Sequence, residues 1–567
     1  MSHLTRKRRD TSRTARRSRR LQQAIGALLG VSLVASPALA KPEDGTVVAG
    51  QATISSQDQA TIINQLTNKA IIDWGRFGIN PNEIVRFIQP SQMAVILNRV
   101  TGGDPSIILG QMQANGTVFL LNPNGIIFGP GSQINVGSLV ASTLSMTNDD
   151  FMSGNYRLTQ DMTRELAAVI NQGTITVTPG GFAILAAPMV SNEGVIVANL
   201  GKVVLGSTQE MTINFDGRDL ISYSLKGLDG QPGTVVVPRD TVSEMLAQVI
   251  TNPAVVDSGS MVQNADGSIS LVGAEGLTFH NGTIQTLGAD GQPGGSVELR
   301  SGQSTVVGPN ALIDASGAGV GSDGGSIKLL SEGLTATYPN SRLVSRGGIT
   351  GDGGFVETSG KNVWLRGTVD VGAAGGEAGT YLIDPRFLTI INGSGGSLDP
   401  LALSNTTNQP APGALSASIS EQYLESFAVG TMILQADDTT TINDIADGAI
   451  TMQPGVSVTF LTGTGNLIFA DPSDIVRVSG GGSLTTNIGQ DLYLGQFEVS
   501  GTGSLNVTVG RDIIDQNGAA ANLVADRITL SGNVGTLANP IDVAGVTNPT
   551  YPQEIRLNAA HHTVSQF

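Results

Sequence analysis

Apolar and polar residues alternate along most of this chain in runs of four to six, separated by Gly, Asn or Asp. A period of two belongs to a half-buried strand, and those three residues let a chain turn sharply. The runs also recur at a longer interval. Asn171-Gln172-Gly173 and Asn192-Glu193-Gly194 are 21 residues apart, as are Gly180 and Gly201. The interval returns in "GSLTTNIGQDLYLGQ" from Gly482 and "GSLNVTVGRDIIDQ" from Gly503, which places Asp491 and Asp512 21 apart. Between these regions "GGSVEL" at Gly294, "GGSIKL" at Gly324 and "GGFVET" at Gly353 recur at 30 and 29 residues.

Units of roughly 20 to 30 residues cannot bury a core alone, whereas stacked units can. The pattern predicts an all-β chain folded as a parallel β-helix, a solenoid rising about 4.8 Å per coil. Variable turns on one side stretch the period. Asn171 and Asn192 would lie one above the other, where amides can form a ladder. A β-propeller is the rival, but its blades need about 40 residues with an aromatic pattern of their own. In "LLNPNGIIFGPGSQINVGSL", from Leu120 to Leu139, the apolar run breaks at Asn122-Pro123-Asn124-Gly125 and resumes at Ile126. Asn-Pro ends a strand, Asn-Gly supplies a tight reversal, and Ile126 and Phe128 re-enter on the buried side.

Two stretches break the pattern. Residues 142–162 are polar and aperiodic and are expected outside the solenoid. Residues 393–430 hold a Pro-rich linker and then "SISEQYLESF", whose spacing predicts a short helix starting at Ser420. This is the expected hinge or module boundary. The expected organisation is 1–40 signal peptide, 41–290 N-terminal domain, 291–392 β-helix repeats, 393–430 linker with a short helix, and 431–567 further repeats.

Composition changes this picture at the N-terminus. The first twenty residues hold nine basic residues and one acidic one, and an apolar stretch follows that ends in Ala38-Leu39-Ala40. That is a secretory signal peptide with cleavage after Ala40, so that the mature chain starts at Lys41. A membrane anchor fits less well, because Gln22, Gln23 and Pro37 interrupt the apolar stretch. Cleavage leaves 22 of the 31 basic and 46 of the 47 acidic residues, a net charge of −24. Such a surface repels nucleic acid and anionic lipid. With 74 Gly, no Cys and 4 % aromatics, the exported chain must be held by packing and backbone hydrogen bonds.

The stretch from Asn68 to Gly129 resembles the N-terminal secretion domain of two-partner-secretion exoproteins. This is the filamentous haemagglutinin family, and in particular its high-molecular-weight-adhesin branch. Leu97-Asn98-Arg99-Val100 and Asn122-Pro123-Asn124-Gly125-Ile126 carry the likeness, and "GSLVASTL" from Gly137 follows. The secretion-domain likeness covers about Gly45 to Asp290, and "GTYLIDPRFLTI" from Gly379 extends it weakly. One departure stands out: where the haemagglutinin branch has an upstream N-P-N-L motif, this chain reads Gln89-Pro90-Ser91. Any role of that motif is therefore not carried over. The resemblance implies a right-handed parallel β-helix with a capped N-terminal secretion domain. It also implies a secreted, monomeric exoprotein, free or held at the cell surface. Recognition by a partner outer-membrane β-barrel transporter would run through the two motifs, and the receptor or glycan is unspecified.

Candidate chemistry is sparse, and no catalytic residue, metal or cofactor is expected. His3 lies in the signal region, His280 is isolated, and His561-His562 is in the tail. Gly319, Gly321 and Gly324 satisfy G-x-G-x-x-G, but they neither open a helix nor follow a βαβ strand. Asp491 and Asp512 read as stacked turn residues. Asp323 and Asp352 lack the nonapeptide calcium pattern. Trp74 and Trp364 read as core or cap residues. Asn115, Asn281, Asn392, Asn405 and Asn506 head Asn-x-Ser/Thr sites, at near-chance frequency. The leading function is an adhesin-like exoprotein. The alternatives are a secreted β-helical polysaccharide-acting enzyme, or a truncated stalk of a larger exoprotein.

Overall fold

The computed structural model describes residues 41–215, 221–226, 234–252, 255–256, 259–393, 417–534, 541–546 and 554–557. Strands hold 52 % of the residues and helices 5 %. One coil shows the plan. Thr117–Leu121 lies in the main sheet, Ile126–Phe128 in a second sheet and Gln133–Val136 in a third. Ser138–Ser142 then returns to the main sheet, parallel to Thr117–Leu121 and in register at Ser138↔Thr117. The 21-residue period is therefore one turn of a parallel β-helix. Inward residues of successive coils merge into one apolar cluster running from Ile63 to Val543.

Nine main-sheet strands that pair one onto the next, from the one at Thr117 to the one at Thr431, are each preceded by glycine: Gly116, then Gly137, and onward through Gly201 and Gly325 to Gly430. A Cβ on any of these after Gly116 would collide with the carbonyl oxygen of the glycine one coil earlier. The second glycine of each "GG" repeat is a member of this column, which explains why those pairs recur. A second polar device repeats inside. Thr278, Thr305 and Thr335 each donate Oγ1 to a main-sheet carbonyl one coil on, at Arg300, Leu330 and Ser359 (2.8, 2.7 and 2.6 Å).

At the start, Thr46–Ala49 and Ala52–Gln57 pair antiparallel with Lys69–Trp74 and Ala60–Gln65, which caps the first coil. Residues 142–162 leave the coil but fold back on it. Helix Asn148–Ser153, capped by Thr147 and Gly154, leads into strand Tyr156–Thr159, which pairs antiparallel with Glu210–Phe215. Their apolar residues close a second cluster over the outer face of the main sheet. The segment thus lies outside the solenoid as expected, yet its sparse apolar residues are buried.

At the expected boundary, residues 394–416 fall outside the described residues. Strand Ala417–Ser420 pairs parallel with Leu388–Ile391, and helix Glu421–Glu425 begins at Ser420, whose Oγ accepts from Tyr423 N. The main sheet runs straight past this region, with Thr380–Pro385 in register with Thr431–Ala436. The third sheet instead ends at Thr368–Asp370, and a five-stranded sheet starts at Ala449–Thr451, against which the helix packs.

Candidate functional site

Asn122 terminates the main-sheet strand with its side chain wholly buried. Its Nδ2 donates to Asp104 O (3.0 Å) and Ser106 Oγ (2.9 Å), and its Oδ1 accepts from Asn124 N (2.9 Å) and Asn124 Nδ2 (3.0 Å). Asn124 Nδ2 also reaches Gly102 O (2.9 Å), and Gly125 N closes the turn on Asn122 O (3.1 Å). Gly125 has φ +118°, a region side chains rarely adopt. Ile126 then pairs with Ser106 on one side and Val169 on the other, inside the core. The turn is a corner between two sheets of one coil rather than a hairpin reversal, because both flanking strands pair parallel with neighbouring coils.

The second motif lies on main-sheet strand Val95–Val100, where alternate residues face opposite ways. Leu97 faces outward into the second apolar cluster, and Val100 faces the main core. Asn98 is buried inside, accepting from Trp74 Nε1 (3.0 Å) and donating to Phe119 O (3.3 Å). Arg99 holds Asp73 with two bonds of 2.9 Å and donates to Met146 O (3.2 Å) in the outer excursion. The structure places the two motifs on adjacent coils, since Val95–Val100 pairs with Thr117–Leu121. Of their side chains, Pro123, Asn124 and Arg99 are partly solvent-accessible, and the rest are buried. Ala38 and Ala40 fall outside the described residues, and Lys41 donates Nζ to Asp58 O (2.6 Å).

Sequence reasoning missed two residues of this kind. Gln89 sits where the family's upstream motif would lie. Its Nε2 donates to Gln65 Oε1 (3.0 Å) and Ala94 O (3.2 Å), and its Oε1 accepts from Gly116 N (2.8 Å). Its backbone exchanges two bonds with the Asn115 amide (2.8 and 2.9 Å), so that sequon side chain is occupied in the folded coil. The expectation that His280 is isolated is wrong. Asn171 Nδ2 donates to Asn192 Oδ1 (2.7 Å), and His280 Nδ1 lies 3.0 Å from Asn192 Nδ2 as the third rung of that ladder. Burial pushes the imidazole down to about 4, so it stays neutral in the core.

The carboxylates weighed as chemistry serve turns. Asp491 Oδ1 accepts from Asp512 N (3.1 Å), and Asp323 Oδ1 from Asp352 N (2.8 Å). Gly319, Gly321 and Gly324 lie in the turn between strands Leu312–Asp314 and Ser326–Ser331. Trp74 and Trp364 are both in the main core. Among the described residues no group of three or more His, Cys, Asp or Glu is arranged to hold a metal ion.

The TPS secretion domain family matches residues 38–299, which contain both motifs. The chain carries a TPS secretion domain. Over those residues the chain is similar to the secretion domain of two-partner-secretion exoproteins. Two curated relatives from Haemophilus influenzae are each named Heme/hemopexin-binding protein. One is 32 % identical over 40 % of this chain and 24 % of its own length. The other is 41 % identical over 21 % of this chain and 13 % of its own length. The chain therefore spans about a quarter or less of the curated relatives it matches. The crystal structure of the HMW1 secretion domain from Haemophilus influenzae aligns with TM-score 0.49 at 22 % identity, over 82 % of this chain and 100 % of that one.

Proposed function

We propose that a partner β-barrel transporter carries this chain across the outer membrane to the cell surface or the medium. Residues 41–290 act as the secretion domain, and the coils beyond serve as an adhesive or structural surface. The match of the secretion-domain family over 38–299 is the observation that supports this reading most directly. Leu97-Asn98-Arg99-Val100 and Asn122-Pro123-Asn124-Gly125-Ile126 are the segments the transporter reads, and it reads them before the domain folds. That order follows from burial: Asn98, Asn122 and Ile126 are fully enclosed in the finished coil, so only an unfolded chain presents them. Folding outside then favours forward movement, because each exported coil templates the next.

Coexpression with a cognate transporter tests this. The chain should reach the medium with the transporter and stay in the periplasm without it, and deletion of 41–290 should abolish release. Export that ignores the transporter or survives the deletion defeats the proposal. Asn122→Ala separates recognition from folding. It strands Asp104 O, Ser106 Oγ and Asn124 N, so the purified mature chain should lose about 1–3 kcal/mol in denaturant unfolding. A fall in export larger than that loss accounts for supports recognition, whereas a proportionate fall makes the turn purely structural.

A further inference from the structure

A groove of about 1090 Å³ runs across the outer side of the main sheet, and it follows one register column. Lys69 begins the column, which passes through Phe182 and Lys202 to Ser296 and Ser326, every one on the groove wall. Eight strands contribute, so the groove is about 34 Å long at about 4.8 Å per strand. The stacked glycines beneath the column keep it open, since Gly137, Gly181, Gly201, Gly295 and Gly325 all line it and none can carry a side chain without a collision.

The lining differs from the rest of the chain in charge. Among the described residues it holds Lys69 and Lys202 and no Asp or Glu, in a mature chain with 46 acidic residues against 22 basic ones. Lys69 donates to Phe151 O (3.2 Å) and Met152 O (3.0 Å), which fixes its ammonium without neutralising it. Burial holds the Lys202 ammonium below its ordinary value, with Glu298 on the next coil pulling it up and Lys328 pulling it down, both outside the lining. Amides of Asn68, Gln92 and Gln292 and the apolar surfaces of Met93, Leu200 and Pro293 complete the walls. The floor cannot take an added β-strand. Its carbonyls are already used, Gly181 O by Lys202 N (3.1 Å), Gly201 O by Ser296 N (2.9 Å) and Gly295 O by Ser326 N (3.0 Å). Peptide recognition by strand addition needs such groups unpaired.

We propose that this groove binds a linear acidic polysaccharide, with sugar carboxylates drawn to Lys202 and Lys69 and hydroxyls bonded by the wall amides. The proposal deepens the reading of the chain as an extracellular surface protein. Binding is measured on the purified mature chain with no transporter, so the two can fail separately.

Oligogalacturonate is the probe, with dextran as the neutral sugar and polyglutamate as the non-sugar polyanion. Calorimetry should show oligogalacturonate binding that weakens with salt, with dextran and polyglutamate at least tenfold weaker. Lys202→Gln should weaken binding about tenfold. Ser296→Phe should abolish it by filling the groove, and the fold should tolerate it, because Phe355 occupies the same column one coil past Ser326. Circular dichroism and thermal unfolding confirm that each variant is folded. A Ser296→Phe chain that fails to fold is replaced by Ser326→Phe, the direct register neighbour of Phe355. The proposal is overturned if oligogalacturonate does not bind, if polyglutamate binds equally well, or if a folded groove-filling variant binds undiminished.

Discussion

One column of the main sheet is built two ways. Its outward residues in the early coils are Ile71, Leu97, Phe119, Val140, Ile184 and Val204, and in the next three coils they are Glu298, Lys328 and Glu357. The six apolar members all lie in the second apolar cluster, beneath the excursions after Ser142 and Ser207. Among the described residues the three charged members have no such cover, and they alternate in sign up the stack, with Lys328 Nζ 3.0 Å from Glu357 Oε2. The inward face is the same in both regions, so what differs is how the outer face meets water. An apolar outer face needs extra chain to cover it, and a charged one lets coils follow each other with no insertion. This is why the secretion domain is irregular in sequence, while the three charged coils at Ser296, Ser326 and Phe355 follow each other at 30 and 29 residues.

The largest test removes the covered solution. Phe119 is fully buried and contacts Phe151 edge-on (5.7 Å between centroids) and Tyr156 in a stack (5.2 Å). Phe119→Ala should cost about 3–5 kcal/mol in denaturant unfolding. It should also expose residues 143–165 to limited proteolysis while coils beyond 291 stay protected. Equal cleavage in both regions would mean that the cover is not a separate element.

A second test asks what the two regions share. Gly201 precedes a covered strand and Gly325 a charged one, and a Cβ at either meets backbone carbonyl. Gly201→Ala and Gly325→Ala should each cost about 1–3 kcal/mol, the usual range for overpacking. Gly131→Ala has open space around it but a φ of +84°, so its cost should come from strain alone. A large gap between the two column variants would show that the glycine stack matters in one region only.

The comparison also marks what could be read from the sequence. The 21-residue interval, the Asn171–Asn192 ladder and the Ser420 cap are local or strictly periodic, so the letters carry them. The third rung, His280, was hidden because the next coil starts only after a long excursion, so its partner Asn192 is 88 residues away. Gln89 was hidden for a different reason. Its role lies in bonds to Gln65, Ala94 and Gly116, three corners that only stacking brings together. The turn at Asn122 was legible as a turn, but its corner geometry was not, because Asn-Gly serves hairpins and corners alike.

A smaller effect is expected at the uncovered face. Lys328 is 42 % exposed, so Lys328→Ala should remove about 0.2–1 kcal/mol, and less in high salt. A loss comparable to that at Phe119 would erase the distinction between covering a face and charging it.

The last effect, and the one with a sign to work out, lies where the charged solution goes wrong. Asp384 stands outward on the next strand, Thr380–Pro385, with Gln435 Nε2 on its Oδ2 (3.0 Å) and, among the described residues, no hydrogen-bond partner for its buried Oδ1. Burial, and then the nearby Asp437 and Glu357, push its carboxyl up to about 6. An unfolded Asp titrates near 3.9. Above about pH 6 the carboxylate is ionised in both states, and the folded chain bears the full cost of holding it there. As pH falls from about 6 toward 4 the folded state takes up the proton first, and the cost fades; below 4 both states are protonated and nothing remains. Asp384→Asn should therefore raise the melting temperature at pH 7.5 and leave it nearly unchanged at pH 4. A gain of the same size at both pH values would trace the effect to the Gln435 bond rather than to charge. The face beside Lys328 and Glu357 would then be limited by geometry, not by an excess of carboxylates.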